Sequence, residues 1–294
     1  MTTNIWPQGL ITALVTPLHD DAVDLKSLAQ LVEYQIDSGV GGLVVTGGTG
    51  EHGALSVDER ALLIREVVKF VAGRVPVIAA TGCFTTAQTI ELSRVAKQAG
   101  VAGLLLASPF GEPISWAERY AFYQAVTSTV ELPVMIYNTP PAGVLNLDQI
   151  KQLAELPNIS AVKDSSGDPE LMGDVVAWAK NIGFGVYVGK DSFLCEALVS
   201  GAQGVVFGVS NFIPRELVDF ISRIRTEGAT PANLQVWSGL RPFLRFMEGS
   251  SNYVAFCKIG CKARGIDVGN VRAPYLMPET DEKSRFSELL NTLK

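Results

Sequence analysis

A chain of 294 residues, 47% hydrophobic and 18% charged, can bury a large core and is too apolar to stay disordered. Its net charge of −6 argues against nucleic acid or an anionic membrane surface as a partner. Four scattered cysteines (Cys83, Cys195, Cys257, Cys261) fit a reducing compartment better than a disulfide framework. The only histidines are His19 and His52, and no HxxxH or two-pair cysteine pattern exists, so no metal is expected. Met1 to Gln8 lacks the order of a signal peptide, and no apolar run reaches about 18 residues. A cytoplasmic protein without membrane segments is the expectation.

In chain order, a first β-rich run covers 9–17, followed by a helical stripe from Val23 to Ser38 built on Leu25, Leu28, Leu31, Val32 and Ile36. A second run, 42–47, enters a glycine-rich turn. Ser56-Val57-Asp58-Glu59 then reads as a capping box opening the next helix, and Thr85-Thr86-Ala87-Gln88 as another after the run 76–82. Further runs follow at 103–108, 133–138 and 159–164. Asp168-Pro169 supplies an N-cap and a proline at the first helical position, and runs at 185–190 and 204–209 complete the series. Gly39, Gly73, Gly100, Gly183 and Gly201 close helices just before a strand. Eight strands alternating with helices, none left over, predict a parallel (β/α)8 barrel, a TIM barrel, over residues 8–226. A doubly wound open sheet shares the alternation and is the runner-up. Residues 227–294 read as an appended C-terminal helical segment, with helices at Pro231–Met247, Asn252–Arg264 and Glu279–Lys294. Cys257 and Cys261, four apart on one of them, suit core packing better than a metal site.

In such a barrel, catalytic groups gather at the carboxyl ends of the strands, and successive strands are neighbours about 4.8 Å apart. Tyr137 lies at the carboxyl end of the fifth run and Lys163 at that of the sixth, directly after the uncharged Ile159-Ser160-Ala161-Val162. A primary amine and a phenol at one mouth suit imine chemistry on a 2-oxo acid, provided the amine is desolvated enough to shed its proton. Lys190 is the rival lysine, without a tyrosine on the preceding strand.

The segment Thr46-Gly47-Gly48-Thr49-Gly50-Glu51-His52-Gly53 formally contains GxGxxG. A dinucleotide site would need the last glycine at the helix start and an acid ending the next strand, about 20 residues on. The helix cap is Ser56, and the third strand ends Ala80-Thr81-Gly82-Cys83, with no acid. Converging backbone N–H groups beside the Thr49 hydroxyl suit a small carboxylate instead, and a tight turn without a ligand stays open. His52, Ser108, Glu112, Ser165, Lys190, Asp191, Ser210 and Asn211 fall in loops at the same mouth and are candidates for reading the rest of a substrate.

Thr49-Gly50-Glu51, Tyr137-Asn138-Thr139-Pro140 and Val162-Lys163-Asp164, in that order and spacing, resemble the motifs of the dihydrodipicolinate synthase/N-acetylneuraminate lyase family. Thr12-Ala13-Leu14-Val15-Thr16-Pro17 and the run Gly204 to Asn211 extend the similarity over nearly the whole chain. The resemblance implies a class I, cofactor-free lyase that forms a lysine imine with pyruvate or a longer 2-oxo acid, in a homotetramer. Lys163 would be the Schiff-base lysine and Tyr137 the proton shuttle. Gly48 and Thr49 would hold the substrate carboxylate, with Thr49 counted among the catalytic groups. Gly189 and Val206 would line the pyruvyl pocket, and Ser165 would contact the substrate. Three positions depart from the synthase members: Gly48 replaces a hydroxyl residue, Ala142 an arginine that grips the second carboxylate, and Gly111 a tyrosine lent by a neighbouring subunit. These departures favour aldol cleavage or dehydration of a 2-oxo-3-deoxy sugar acid or 4-hydroxy-2-oxo acid. Condensation of pyruvate with aspartate semialdehyde, the 4-hydroxy-tetrahydrodipicolinate synthase reaction, is the alternative. A non-catalytic 2-oxo-acid-binding regulatory barrel and a pyridoxal-phosphate enzyme are the readings from other classes.

Overall fold

A computed structural model describes residues 6–109, 113–250 and 252–293. Eight parallel strands close into a barrel: β1 (Gly9–Ala13), β2 (Gly42–Val45), β3 (Val77–Ala80), β4 (Gly103–Leu106), β5 (Val134–Asn138), β6 (Ile159–Asp164), β7 (Gly185–Val188) and β8 (Gly204–Phe207). Each pairs with its sequence neighbours, and β8 returns to β1 with Ile11 opposite Val206. The expected barrel is therefore present, and the open sheet is excluded. Six of the eight strands end before the apolar runs do, while β5 and β6 end where the runs end, at Asn138 and Asp164. After Ala13 the chain leaves the barrel, and Leu18–His19 pairs with Ala22–Val23 in a small antiparallel ribbon that hydropathy did not reveal.

The alternation along the strands sorts the core into two layers. Ile11, Val44, Ile78, Leu105, Met135, Ala161, Tyr187 and Val206 point inward and form the barrel's own core with Trp6. Leu10, Leu43, Val77, Leu104, Ile136, Val162, Val186 and Val205 point outward into the larger core beneath the helices. Trp6 and Tyr187 plug the amino-terminal end: the indole N–H donates to Ser160 Oγ (2.9 Å) and the Tyr187 hydroxyl to the Pro7 carbonyl (2.7 Å). A Cβ at Gly103 would run into the Trp6 ring. With that end filled, the free space lies at the carboxyl ends.

The barrel helices are α1 (Leu25–Asp37), α2 (Val57–Val71), α3 (Thr86–Ala99), α4 (Trp116–Thr129), α5 (Leu147–Ala154), α6 (Pro169–Ala179), α7 (Leu194–Ser200) and α8 (Pro214–Glu227). Ser56 and Glu59 form the expected capping box on α2. On α3 only half of it forms: Thr85 accepts from the Gln88 N–H, while the Gln88 side chain meets the Thr85 hydroxyl rather than its amide. Asp168 caps α6. The helix-closing Gly39, Gly73, Gly100, Gly183 and Gly201 all have positive φ.

Three more helices follow: α9 (Pro231–Gly249), α10 (Tyr253–Ala263) and α11 (Thr280–Asn291). Phe286 of α11 stacks on Phe256 of α10, with centroids 5.2 Å apart, and packs on Phe212 of the β8–α8 loop at 5.7 Å. This aromatic cluster belongs to the same apolar core as the barrel helices. Cys257 and Cys261 are buried within it as free thiols. Among the described residues no helix is long and apolar enough to cross a membrane.

Candidate active site

Tyr137 and Lys163 are register partners across β5 and β6, and both share the inward parity of Met135 and Ala161. That pairing depends on an irregularity. Val134 lies opposite Ile159, but Met135 lies opposite Ala161, so Ser160 is an extra residue on β6. An extra residue of this kind re-aims every side chain beyond it. Without it Tyr137 would face Val162, an outward residue. With it the Lys163 amine stands over the Tyr137 ring, 4.2 Å from the centroid. Lys163 is only 7% exposed.

Burial on its own would raise the Tyr137 phenol. The Lys163 charge, with hydrogen bonding to Ser165, Thr139 and Lys163, outweighs it and brings the phenol below its ordinary value. A phenol so placed can both lose and regain a proton. Ser165 follows β6, and its buried Oγ is otherwise short of a well-formed hydrogen bond among the described residues. Gly189, after β7, closes over both groups: a Cβ there would collide with Ser165 Oγ and Lys163 Cε. Val206 belongs to the inward layer with Tyr137.

The glycine-rich turn sits across the mouth. Thr46 directly follows β2 with φ 57°, its hydroxyl donating to the Ala80 carbonyl (2.8 Å). The Gly50 and Glu51 N–H groups close the turn onto the Gly47 and Gly48 carbonyls (3.1 and 3.0 Å). Among the described residues no backbone carbonyl takes the Gly48 or Thr49 N–H. Thr49 lies against Gly208 at the end of β8. A cavity of about 300 Å³ opens here, lined in part by Gly48, His52, Arg60, Tyr137, Thr139 and Ala142.

The other loop candidates divide. His52 lines the cavity; burial first, then the Arg60 charge, lowers its imidazole to about 4, so it is neutral at physiological pH. Asp191 is buried and accepts from the Tyr253 hydroxyl (2.6 Å); burial pushes its carboxyl up to about 8 against that bond and the Lys163 charge. Lys190 pairs with Glu248 at 3.6 Å. Ser108 is buried beside Tyr123. Ser210 and Asn211 make hydrogen bonds to backbone groups. The Ser210 hydroxyl donates to Phe207, and the Asn211 amide spans Ala13, Val15 and Gly208, stitching β1 to β8. Glu112 and Gly111 lie outside the described residues.

Several residues were not singled out from sequence. Tyr253, on α10, accepts from the Gly208 and Val209 N–H groups (3.1 and 2.9 Å) while donating to Asp191. Lys258, also on α10, pairs with Glu51 in full burial. Arg60 faces the cavity from α2; its helical phase with the buried Leu63, Ile64 and Val67 was the available signal.

The sequence matches the model of the Dihydrodipicolinate synthetase family over residues 6–293. The chain belongs to that family. Among its relatives, the 4-hydroxy-tetrahydrodipicolinate synthase of Bacillus velezensis is 34% identical over 97% of this chain and 99% of its own. The structure of the synthase of that name from Methylacidiphilum fumariolicum superposes with a TM-score of 0.91 at 29% identity, covering 97% of this chain and 95% of that one. A dihydrodipicolinate synthase of Acinetobacter baumannii, solved in complex with pyruvate, gives 0.89 at 29% identity, covering 98% and 99%. For this member of the dihydrodipicolinate synthetase family, the fold expected from the alternation of strands and helices holds over the whole barrel.

Proposed function

We propose that the chain is a lyase that binds a 2-oxo acid, pyruvate in the first instance, as an imine of Lys163. The observation that carries the reading is the sheltered amine against a phenol on the neighbouring strand. The substrate carboxylate docks on the Gly48–Thr49 turn, where two N–H groups have no backbone acceptor. The uncharged Lys163 amine attacks C2, and Tyr137 passes the protons needed for the carbinolamine to lose water. The protonated imine withdraws electrons from C3, and loss of a C3 proton to a neighbouring base or solvent gives an enamine that can add to an aldehyde. In reverse it breaks the C3–C4 bond, and with a hydroxyl at C4 it can expel water. No step draws on a metal or an organic cofactor.

Condensation with aspartate semialdehyde is supported by the names of the relatives. Cleavage or dehydration of a hydroxylated 2-oxo acid is favoured by Ala142, which puts a methyl on the cavity wall where the synthase pattern has an arginine. A tetrameric assembly belongs to the same reading, and sedimentation would test it.

The decisive experiment is reduction with borohydride in the presence of pyruvate, followed by mass spectrometry of the intact protein. The wild type gains the mass of one reduced pyruvyl adduct, and Lys163→Ala gains none. An adduct on the alanine variant rejects the assignment.

A further inference from the structure

Arg60 is a buried cation whose charge has no carboxylate counterpart among the described residues. It is 4% exposed, on the inner face of α2. Its Nη2 donates to the Ala80 carbonyl (2.8 Å), and its Nη1 to the Gly82 carbonyl (3.1 Å) and the Cys83 sulfur (3.2 Å). Nε is buried without a partner among the described residues. No carboxylate among them acts on the guanidinium; the side chain that does is the Cys83 thiol.

A buried charge without an opposite partner is costly, and a guanidinium cannot escape the cost by giving up its proton. Structural arginines of this kind meet a carboxylate. This one instead lines the cavity that Tyr137 shares, with Ala142 and Thr139 also on the wall. The charge therefore borders the space that a second reactant would enter, and the same guanidinium keeps one buried N–H unspent. His52 is neutral there, so among the described residues Arg60 is the charged group on the wall, and it favours a negative partner.

We infer that Arg60 is the specificity residue of the electrophile subsite, receiving through Nε–H the far carboxylate of the molecule that meets the pyruvate enamine. The inference rests on the lysine-imine reading and adds the substrate class: an aldehyde, or the distal part of a longer 2-oxo acid, that ends in a carboxylate. It also explains how the site can hold such a group with alanine at position 142. An ionic hydrogen bond in a sheltered pocket discriminates between a carboxylate and its neutral amide by about tenfold or more.

The test uses wild type, Arg60→Gln and Arg60→Met, each first reduced with pyruvate and borohydride. Each is titrated calorimetrically with succinate semialdehyde and with its uncharged counterpart, 4-oxobutanamide. The expected result is that wild type prefers the carboxylate by about tenfold or more and that the preference disappears in both variants. Circular dichroism identifies any variant that has unfolded, and the other then decides. Should wild type show no preference, or a folded variant keep it, Arg60 is a structural residue and the inference is overturned. Absence of the pyruvate adduct in wild type would instead sink the imine reading. The same titrations on unreduced protein then judge Arg60 by the same criterion.

Discussion

Lys258 Nζ and Glu51 Oε1 are 2.7 Å apart, with both side chains fully buried. The pair ties α10 to the glycine-rich turn. Glu51 directly follows Gly48-Thr49-Gly50 and holds a left-handed φ of 59°, and its other oxygen accepts from the Arg272 N–H (2.8 Å). Lys258 also donates to the Asn270 carbonyl (2.7 Å). A left-handed, non-glycine residue of that turn is thus held from behind by a helix far away in the chain.

Breaking that pair on one side strands a charge in the core. Lys258→Met is expected to destabilise the protein by about 3–5 kcal/mol, read from urea unfolding. Glu51→Gln in the same chain neutralises the stranded carboxylate and recovers a large part of the loss. Pyruvate affinity should fall in the single variant, because the turn that receives the carboxylate loses its support. If the double variant is no more stable than Lys258→Met alone, the pair does not act as described.

Tyr137→Phe removes the phenolic oxygen and leaves the ring under the amine. Proton transfer by a positioned side chain contributes about 10²–10⁴-fold, so turnover should fall within that range. The borohydride-trapped adduct should still form, but more slowly, since Lys163 keeps its nucleophilic nitrogen. Rapid-quench measurement of adduct formation separates the two effects. An unchanged rate would remove Tyr137 from the proton path.

The barrel was legible in the sequence because strands covered on both faces are continuously apolar and helix starts carry their own caps. Ser56 and Asp168 act locally, and local signals survive without the fold. The ends of β1 and β2 were misjudged because the apolar run continues into loop residues buried for other reasons. Leu14 and Val15 pack in the core but lie outside the strand. Lys163 and Tyr137 were recognisable by strand order alone, yet their true register depends on the extra residue Ser160, which periodicity cannot locate. Tyr253, Lys258 and Arg60 went unseen for another reason. On a helix each reads as an ordinary aromatic or solvated charge until distant elements pack against it. Asn211 shows the converse, a polar loop residue whose amide satisfies backbone groups, which its sequence position does not reveal.

Stability should show opposing pH dependences from two buried groups. His52 has its folded value lowered from 6.5 to about 4, so the unfolded chain binds the extra proton more readily in that window. Stability therefore falls as pH drops from about 6.5 to about 4, by roughly 3 kcal/mol at the limit. Asp191 is raised from 3.8 to about 8, so the folded chain holds the proton; its contribution is complete below about 4 and is lost as pH rises towards about 8. His52→Gln should flatten the fall towards acid below about 6.5 in a melting-temperature profile, and Asp191→Asn the decline as pH rises from about 4 to about 8. Variants with the same profile shape as wild type would show that these groups do not set it.

Gly189→Ala separates room for the amine from room for the hydroxyl. The added methyl meets two atoms, Ser165 Oγ and Lys163 Cε, and neither is the free end of a long side chain. Overpacking of this kind costs about 1–3 kcal/mol, so the variant should fold with a lower midpoint in urea. Lys163 must also leave the position from which it meets C2, and pyruvate trapping should fall by at least tenfold. Adding Ser165→Ala removes one of the two collisions. Stability should then partly return while trapping stays low, because the clash with the lysine stem persists. Were the double variant to regain full trapping, the hydroxyl rather than the position of the amine would be what Gly189 protects.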